Sequence, residues 1–146
     1  MMKEKIRNAL TALPMWTFTV IVFVAILYLT LMPDPLPDND IELFPHADKV
    51  VHAIMFGGMY FVVYFDRYRQ VLRRGGEGSV SRRFTMTVAL SVVAFGGIIE
   101  LIQSAMGAGR SADWLDFAAD TAGVILSMSV SPWVTQRLLG KTASRQ

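Results

Sequence analysis

Residues 98–120 read IIELIQSAMGAGRSADWLDFAAD, and the pattern of this stretch decides the fold. Its first half is an apolar helical segment that carries a glutamate and a glutamine close to its end. A Gly-Ala-Gly turn follows, and three aspartates then recur at i, i+3 and i+7, a spacing that places them on one face of a second helix. We therefore expect two antiparallel helices with ionisable groups gathered at the end where they are joined.

The composition of the whole chain indicates a membrane protein. Hydrophobic residues make up 53% of the 146 residues and charged residues only 18%, and the mean hydropathy is +0.40. A soluble domain of this size is normally less apolar. The chain has no cysteine, so disulfides, thiolate metal sites and thiol nucleophiles are excluded.

Four apolar runs have about the length that a bilayer core requires, which is roughly 17–25 helical residues. They cover about residues 14–32, 50–65, 84–107 and 117–134. Four spans are the prediction, and three would remain if the second or fourth run were re-entrant. The first run has 19 residues and no A-x-A pattern behind it, so it is interpreted as an uncleaved span instead of a signal peptide.

The basic residues predict the orientation. Of the 14 lysines and arginines, all but Lys49 and Arg110 lie in the N-terminal tail, the loop between spans two and three, or the C-terminal tail. Basic loops stay in the cytoplasm, so both termini are predicted to be cytoplasmic. The formal net charge of +2 does not indicate nucleic-acid binding, because the basic residues flank apolar runs and form no single stripe.

This topology predicts that polar residues of three spans meet just inside the outer boundary. Spans two and four descend from the outer face and span three rises towards it, so His52, Glu100 and Asp120 reach nearly the same depth. Ionisable groups inside a membrane are expected to face the bundle interior and to find partners there. The candidate site residues are Asp48, Lys49, His52, Glu100, Gln103, Arg110, Asp113, Asp116 and Asp120.

Two motifs carry a resemblance to a known family. Asp48-Lys49-x-x-His52-x-x-x-Phe56 resembles the D-K-x-x-H-x-x-x-F/Y signature of the VanZ-like family, named for a teicoplanin-resistance membrane protein. The residues that follow resemble its second signature and are Glu100, Gln103, Arg110, Asp113, Asp116, Asp120 and Gly123. The resemblance covers about residues 46–127, and Asp120 departs from it because many relatives resemble an Asn position there.

The four apolar runs predict an all-α integral membrane protein built as a four-transmembrane-helix bundle. The resemblance implies a small multi-span membrane protein with one VanZ-like domain over residues 1–146. It implies a multi-pass protein of the bacterial inner membrane and, more loosely, a role in the cell envelope related to glycopeptide resistance. Most members have no established biochemical activity, so whether the chain is an enzyme stays open.

Two functions are weighed from the residues. In the first, the cluster binds a lipid-linked or anionic envelope component, with Lys49, Arg110 and His52 meeting phosphate or carboxylate. The excess of acidic groups works against anion binding unless those groups are protonated or paired. In the second, the chain is a membrane hydrolase or transferase in which His52 supplies acid–base chemistry, although no established catalytic motif is present.

Three further alternatives concern the cluster itself. A closed network of salt bridges tying three helices together would need no ligand. A transporter or proton relay is disfavoured because the charged groups are confined to one face. Metal ligation by His52, Glu100, Asp116 and Asp120 suits the ligand types, but the spacing matches no established metal motif. No metal and no cofactor are predicted, and the oligomeric state is left open.

Overall fold

Five helices make up the part of the chain that the computed structural model describes, which comprises residues 2–32, 46–75, 79–106 and 113–140. They are α1 (Met2–Ala12), α2 (Thr17–Leu31), α3 (Ala47–Arg73), α4 (Arg82–Met106) and α5 (Trp114–Leu139). No strand occurs within those ranges. The protein is therefore all-α, as predicted, with one helix more than the number of predicted spans.

The additional helix and the longest helix both lie where the sequence analysis assigned connections. Helix α1 occupies the basic N-terminal tail and is separated from α2 by Leu13–Trp16. Helix α3 continues past the predicted end of span two, at residue 65, to Arg73. Since residues 66–73 (DRYRQVLR) contain neither glycine nor proline, nothing in them ends a helix before Gly75, which has a positive φ of 99°.

Contacts along the helices show that α2 to α5 alternate in direction. Helices α3 and α5 run parallel, since His52 contacts Asp120 near their starts and Tyr68 donates to the carbonyl of Gly140 at their ends. Helix α4 runs antiparallel to both. Its C-terminal Glu100 approaches His52, whereas Phe84 at its start lies against Arg67. The N-termini of α3 and α5 and the C-terminus of α4 thus share one end of the bundle, called here the cluster end.

Helices α3 and α5 approach each other closely through two glycines. A Cβ atom on Gly57 would lie 2.8 Å from the carbonyl oxygen of Gly123. A Cβ atom on Gly123 would lie 2.8 Å from the carbonyl carbon of Ala53 and would overlap its oxygen. A side chain at either position would push the helices apart, so the absence of one permits the backbone contact.

At the opposite end, a buried ion pair joins α3 to the start of α2. Arg69 and Asp66 form a salt bridge in which the two side chains are 2% and 0% exposed. Asp66 also accepts hydrogen bonds from the backbone N–H and the hydroxyl of Thr19, at 3.0 and 2.9 Å. Arg69 donates to the carbonyl of Leu13 at 2.7 Å. From the sequence, Arg69 was assigned to the cytoplasmic loop between spans two and three, whereas it lies within α3.

The outward-facing surface of the bundle is strongly apolar. Large side chains on three helices are about two-thirds exposed, among them Ile54 (67%), Leu90 (68%), Leu101 (69%) and Leu126 (67%). Patches of this kind are rare on soluble monomers. Among the described residues, only α4 is both long and apolar enough to qualify by itself as a membrane span, and α2 is apolar but shorter.

Candidate functional site

Lys49 holds the N-terminus of α5 against α3 at the cluster end. Its Nζ atom contacts Asp48 at 2.9 Å, Asp116 at 2.7 Å, and also Asp113. Asp113 is the N-cap of α5, since its side chain accepts the backbone N–H of Leu115 at 2.8 Å. One lysine thus binds two carboxylates of another helix and one of its own.

Lys49 and the aspartates that it contacts stabilise one another's charged forms. The hydrogen bond from Lys49 holds the pKa of Asp113 below its ordinary value, and the Leu115 N–H acts in the same direction. Lys49 likewise lowers the pKa of Asp48. The hydrogen bonds to Asp113 and then Asp116 raise the pKa of Lys49. Asp48, Lys49 and Asp113 are therefore charged at neutral pH, and the attraction among these three groups is fully present there.

His52 lies one helical turn further along α3 and faces three carboxyl groups. Its Nδ1 atom is 3.0 Å from Oδ1 of Asp120 and 3.9 Å from Oε1 of Glu100, and its Nε2 atom is 4.0 Å from Oδ2 of Asp116. The His52 side chain is 13% exposed. The residues His52, Glu100 and Asp120 are called here the buried triad.

Glu100 is held from one side only. The backbone N–H of Asp113 donates to its Oε2 atom at 3.0 Å, and the side chain is 7% exposed. Its Oε1 atom is buried and has no hydrogen-bond partner within the described ranges. The same holds for Oδ2 of Asp120, which fits against Gly96 so closely that a Cβ there would lie 2.7 Å from it.

Of the two remaining candidate residues, the structure describes only Gln103, which points away from this centre. The amide of Gln103 donates to the backbone carbonyl of Thr30 at 3.0 Å and so connects α4 to α2. Arg110 lies outside the described residues. The structure thus brings together seven of the nine candidates, named here the polar cluster: Asp48, Lys49, His52, Glu100, Asp113, Asp116 and Asp120.

An apolar groove begins at the polar cluster and runs between α3 and α5. This α3–α5 groove has a volume of about 670 Å³ and is lined by Lys49 at one end, by Gly57 and Gly58 in the middle, and by Phe61 and Val130 at the other end. From residue 49 to residue 61 a helix rises about 18 Å, which is close to half of the roughly 30 Å hydrocarbon core of a bilayer.

A second, smaller groove lies on the other side of α5, against α4. This α4–α5 groove has a volume of about 430 Å³ and joins the carboxyl groups of Glu100 and Asp113 to the rings of Trp114 and Phe117. Neither groove was predicted. The glycines and the alanines of α5 hinted at close helix packing, but a groove depends on how two helices diverge, and no residue pattern signals that.

Replacing Lys49 by methionine is expected to lower the melting temperature at pH 7 and to have less effect in acid. The bound Asp113 has a lowered pKa, so its contribution to stability exists above the ordinary aspartate value, about 3.9, and is lost as pH falls through the lower folded value. In the variant, the neighbouring carboxylates repel one another until they are protonated. The difference in melting temperature between the variant and wild type should therefore be largest at pH 7 and should become smaller below about pH 4.

Thermal unfolding in detergent, followed by tryptophan fluorescence between pH 7 and 3, measures this difference. Lys5→Met, which changes an exposed lysine of α1, is the matched control and should leave the melting temperature unchanged at every pH. A loss that is equal at all pH values would show that Lys49 acts by packing alone.

Helices with an apolar exterior around buried charged groups are typical of small all-helical proteins that associate with membranes. The chain belongs to the VanZ/LLP1 family, whose sequence model matches residues 2–135. No curated relative and no solved structure matched the chain. The predicted family is thus confirmed, and the match extends well beyond residues 46–127, where the two motifs lie.

Proposed function

We propose that the chain is a single-domain, multi-pass protein of the bacterial inner membrane, with α2 to α5 as four spans and both termini in the cytoplasm. The two-thirds-exposed leucines and isoleucines suit contact with lipid. The alternating helix directions agree with the positive-inside argument, which puts the polar cluster at the outer face. Helices α3 and α5 contain charged residues, which lower their mean hydropathy. Many of these residues form ion pairs inside the bundle, as a membrane environment requires.

We further propose that the polar cluster binds a lipid-linked component of the cell envelope. The observation that carries this proposal is the juxtaposition of a charged cluster with an apolar groove of one-leaflet length. Such a site matches an amphiphile, because the apolar chain can lie in the α3–α5 groove while the polar head reaches Lys49 and its neighbours. Ligand pockets usually combine a large apolar lining with a few polar groups in this way.

The charge of the cluster restricts the head group. Five carboxyl groups face one lysine and one histidine among the described residues. Hydroxyl, amide and amine groups, which donate hydrogen bonds to carboxylates, are favoured partners. A phosphate or carboxylate head would be repelled unless a cation accompanied it.

An accessory role follows from binding of this kind. A protein that holds a lipid-linked wall precursor at the outer face would change how much of that precursor is exposed to a glycopeptide antibiotic. We therefore propose a glycopeptide-resistance-like role, in which the protein alters access to the antibiotic's target without modifying the antibiotic.

A second candidate function is a membrane hydrolase or transferase acting on the same kind of lipid. The contact between His52 Nδ1 and Asp120 at 3.0 Å favours it, because a carboxylate that orients an imidazole is a common acid–base arrangement. Under the binding function, purified protein leaves a bound lipid-linked compound chemically unchanged. Turnover that is lost in His52→Gln while lipid binding persists would support the enzyme.

Filling the α3–α5 groove is expected to reduce lipid binding. Gly58 lines the groove, and a Cβ atom there meets nothing within 4 Å, so Gly58→Leu should add bulk to the groove without disturbing the helix contact. We expect it to reduce crosslinking to a photoactivatable polyprenyl-linked lipid in nanodiscs by at least about fivefold, equivalent to about 1 kcal/mol of binding free energy.

Ala25→Leu is the matched control, since it adds similar bulk to an exposed position of α2 outside both grooves. Its crosslinking should equal that of wild type, and both variants should keep the wild-type melting temperature. Crosslinks spread evenly over all helices, or an unchanged yield in Gly58→Leu, would contradict a lipid site in this groove.

A further inference from the structure

The buried triad contains two carboxyl groups and one imidazole, all buried or nearly so. Glu100 and Asp120 are both at least nine-tenths buried, and His52 lies between them as the only basic group of the triad. Buried carboxylates normally have partners for both oxygens. Yet Oε1 of Glu100 and Oδ2 of Asp120 have no hydrogen-bond partner among the residues that the structure describes.

Glu100 and Asp120 each place one carboxylate oxygen near the same ring nitrogen of His52. Glu100 is anchored through Oε2 by the Asp113 N–H, so the unpartnered Oε1 is the atom that faces His52. His52 directs Nε2 towards Asp116 and Nδ1 towards Glu100 and Asp120. A carboxylate beside the second ring nitrogen is the usual environment of a metal-binding histidine, because it orients the ring.

The distances within the buried triad fit a small cation. One ligand atom from each residue can be chosen so that all three lie within 4.8 Å of one another. The two distances from His52 Nδ1, 3.0 and 3.9 Å, bracket the separation of about 3.3 Å between ligand atoms of a tetrahedral zinc site with bonds of about 2.0–2.1 Å.

We propose that His52, Glu100 and Asp120 form a binding site for one divalent transition-metal ion, with zinc or manganese as the fitting classes. One imidazole nitrogen and two carboxylate oxygens suit these ions, whereas magnesium and calcium prefer oxygen ligands alone. Three protein ligands leave a coordination position for an external group. The sequence analysis predicted no metal, because ligands on three helices have no recognisable spacing along the chain.

Such an ion would affect the proposed lipid binding, but the metal site does not depend on that proposal. Two positive charges within the cluster would offset part of the carboxylate excess, and a phosphate head could then bind there. This last step rests on the lipid-binding proposal. The metal site itself rests on the buried triad alone and is tested without any lipid.

The test is zinc and manganese binding to the full chain in detergent after treatment with a chelator, measured by calorimetry and by metal analysis after desalting. Wild type should retain one ion per chain. Glu100→Gln and Asp120→Asn, which keep the side-chain shapes, should each weaken binding by more than about tenfold. Asp48→Asn is the matched control, because it alters the other group of acidic residues, Asp48, Asp113 and Asp116, and it should bind as wild type does.

The proposal would be overturned by no stoichiometric ion in wild type, by full retention of the ion in Glu100→Gln and Asp120→Asn, or by a loss in Asp48→Asn equal to theirs. The metal content of wild type tests the proposal even if the variants fail to fold. X-ray absorption of the zinc- or manganese-loaded protein should show one nitrogen ligand from imidazole, and an all-oxygen shell would refute the site. If metal binds but the lipid probe does not, the lipid-binding function fails and the metal site stands.

Discussion

Replacing Gly123 by alanine is expected to lower the free energy of unfolding by about 2 kcal/mol or more, a larger loss than at any other glycine that the structure describes. The new Cβ would lie 2.8 Å from the carbonyl carbon and 2.9 Å from the Cα atom of Ala53. Packed carbon atoms are normally about 3.5–4.0 Å apart. Because the neighbour is backbone, no side-chain rotation can relieve the overlap, and α3 and α5 have to separate.

Separation of these helices would also disturb the polar cluster, since the contact of His52 with Asp120 lies one turn from Gly123. Gly123→Ala should therefore weaken both stability and ligand binding. The gain in helix propensity, about 1 kcal/mol for glycine to alanine, opposes the loss but is smaller. Reversible unfolding in mixed detergent micelles, followed by helical circular dichroism, gives the free energy.

The chain offers a matched control in two adjacent glycines. Gly57→Ala would place a Cβ 2.8 Å from the Gly123 oxygen and should destabilise the protein as well, whereas Gly58→Ala meets nothing within 4 Å. We expect Gly58→Ala to be neutral or slightly stabilising. Equal effects of the two adjacent changes would mean that helix propensity, and not the contact between α3 and α5, decides the outcome.

Replacing Arg69 by methionine is expected to lower the free energy of unfolding by about 3 kcal/mol, because it leaves the buried carboxylate of Asp66 without its cation. Both side chains are at least 98% buried. The change also removes the hydrogen bond to the carbonyl of Leu13 and the contact of the guanidinium with the Phe18 ring, 5.1 Å away. Methionine keeps most of the apolar stem, so the loss reports mainly on the charge and its hydrogen bonds.

Arg74→Met is the control for this prediction, since Arg74 is exposed and follows α3 directly. It should change stability by less than about 0.5 kcal/mol. The double variant Arg69→Met with Asp66→Asn should recover part of the loss, because the unpaired charge is removed as well. If Arg69→Met were as mild as Arg74→Met, the buried ion pair with Asp66 would contribute nothing measurable to stability.

The helices could be predicted from the sequence with good accuracy where they are apolar. The run 14–32 corresponds to α2 (Thr17–Leu31) and the run 84–107 to α4 (Arg82–Met106). Hydropathy works there because length and apolar composition are properties of one segment. It failed at residues 66–73, where charged side chains indicated a loop although the backbone is helical. Whether these charged side chains are solvated or buried depends on their partners at the start of α2, which lie about 50 positions away in the sequence.

The depth argument selected His52, Glu100 and Asp120 as neighbours, and the structure places them within hydrogen-bond or ion-pair distance. Their functional role stays a prediction. The sequence could not assign the pairs within the cluster: Lys49 takes Asp48, Asp113 and Asp116, His52 contacts Asp120, and Gln103 turns towards α2. Each choice depends on how far a helix is rotated about its own axis.

The all-helical class, the family and the candidate site residues could all be read from the amino-acid sequence, because periodicity, composition and motif spacing are properties of single segments. Only the tertiary structure decided the backbone contact at Gly57 and Gly123, the two grooves and the unpartnered oxygens of the buried triad. Those features arise from the separation, rotation and crossing angle of packed helices, whose contacting residues lie from 13 to 70 positions apart in the chain.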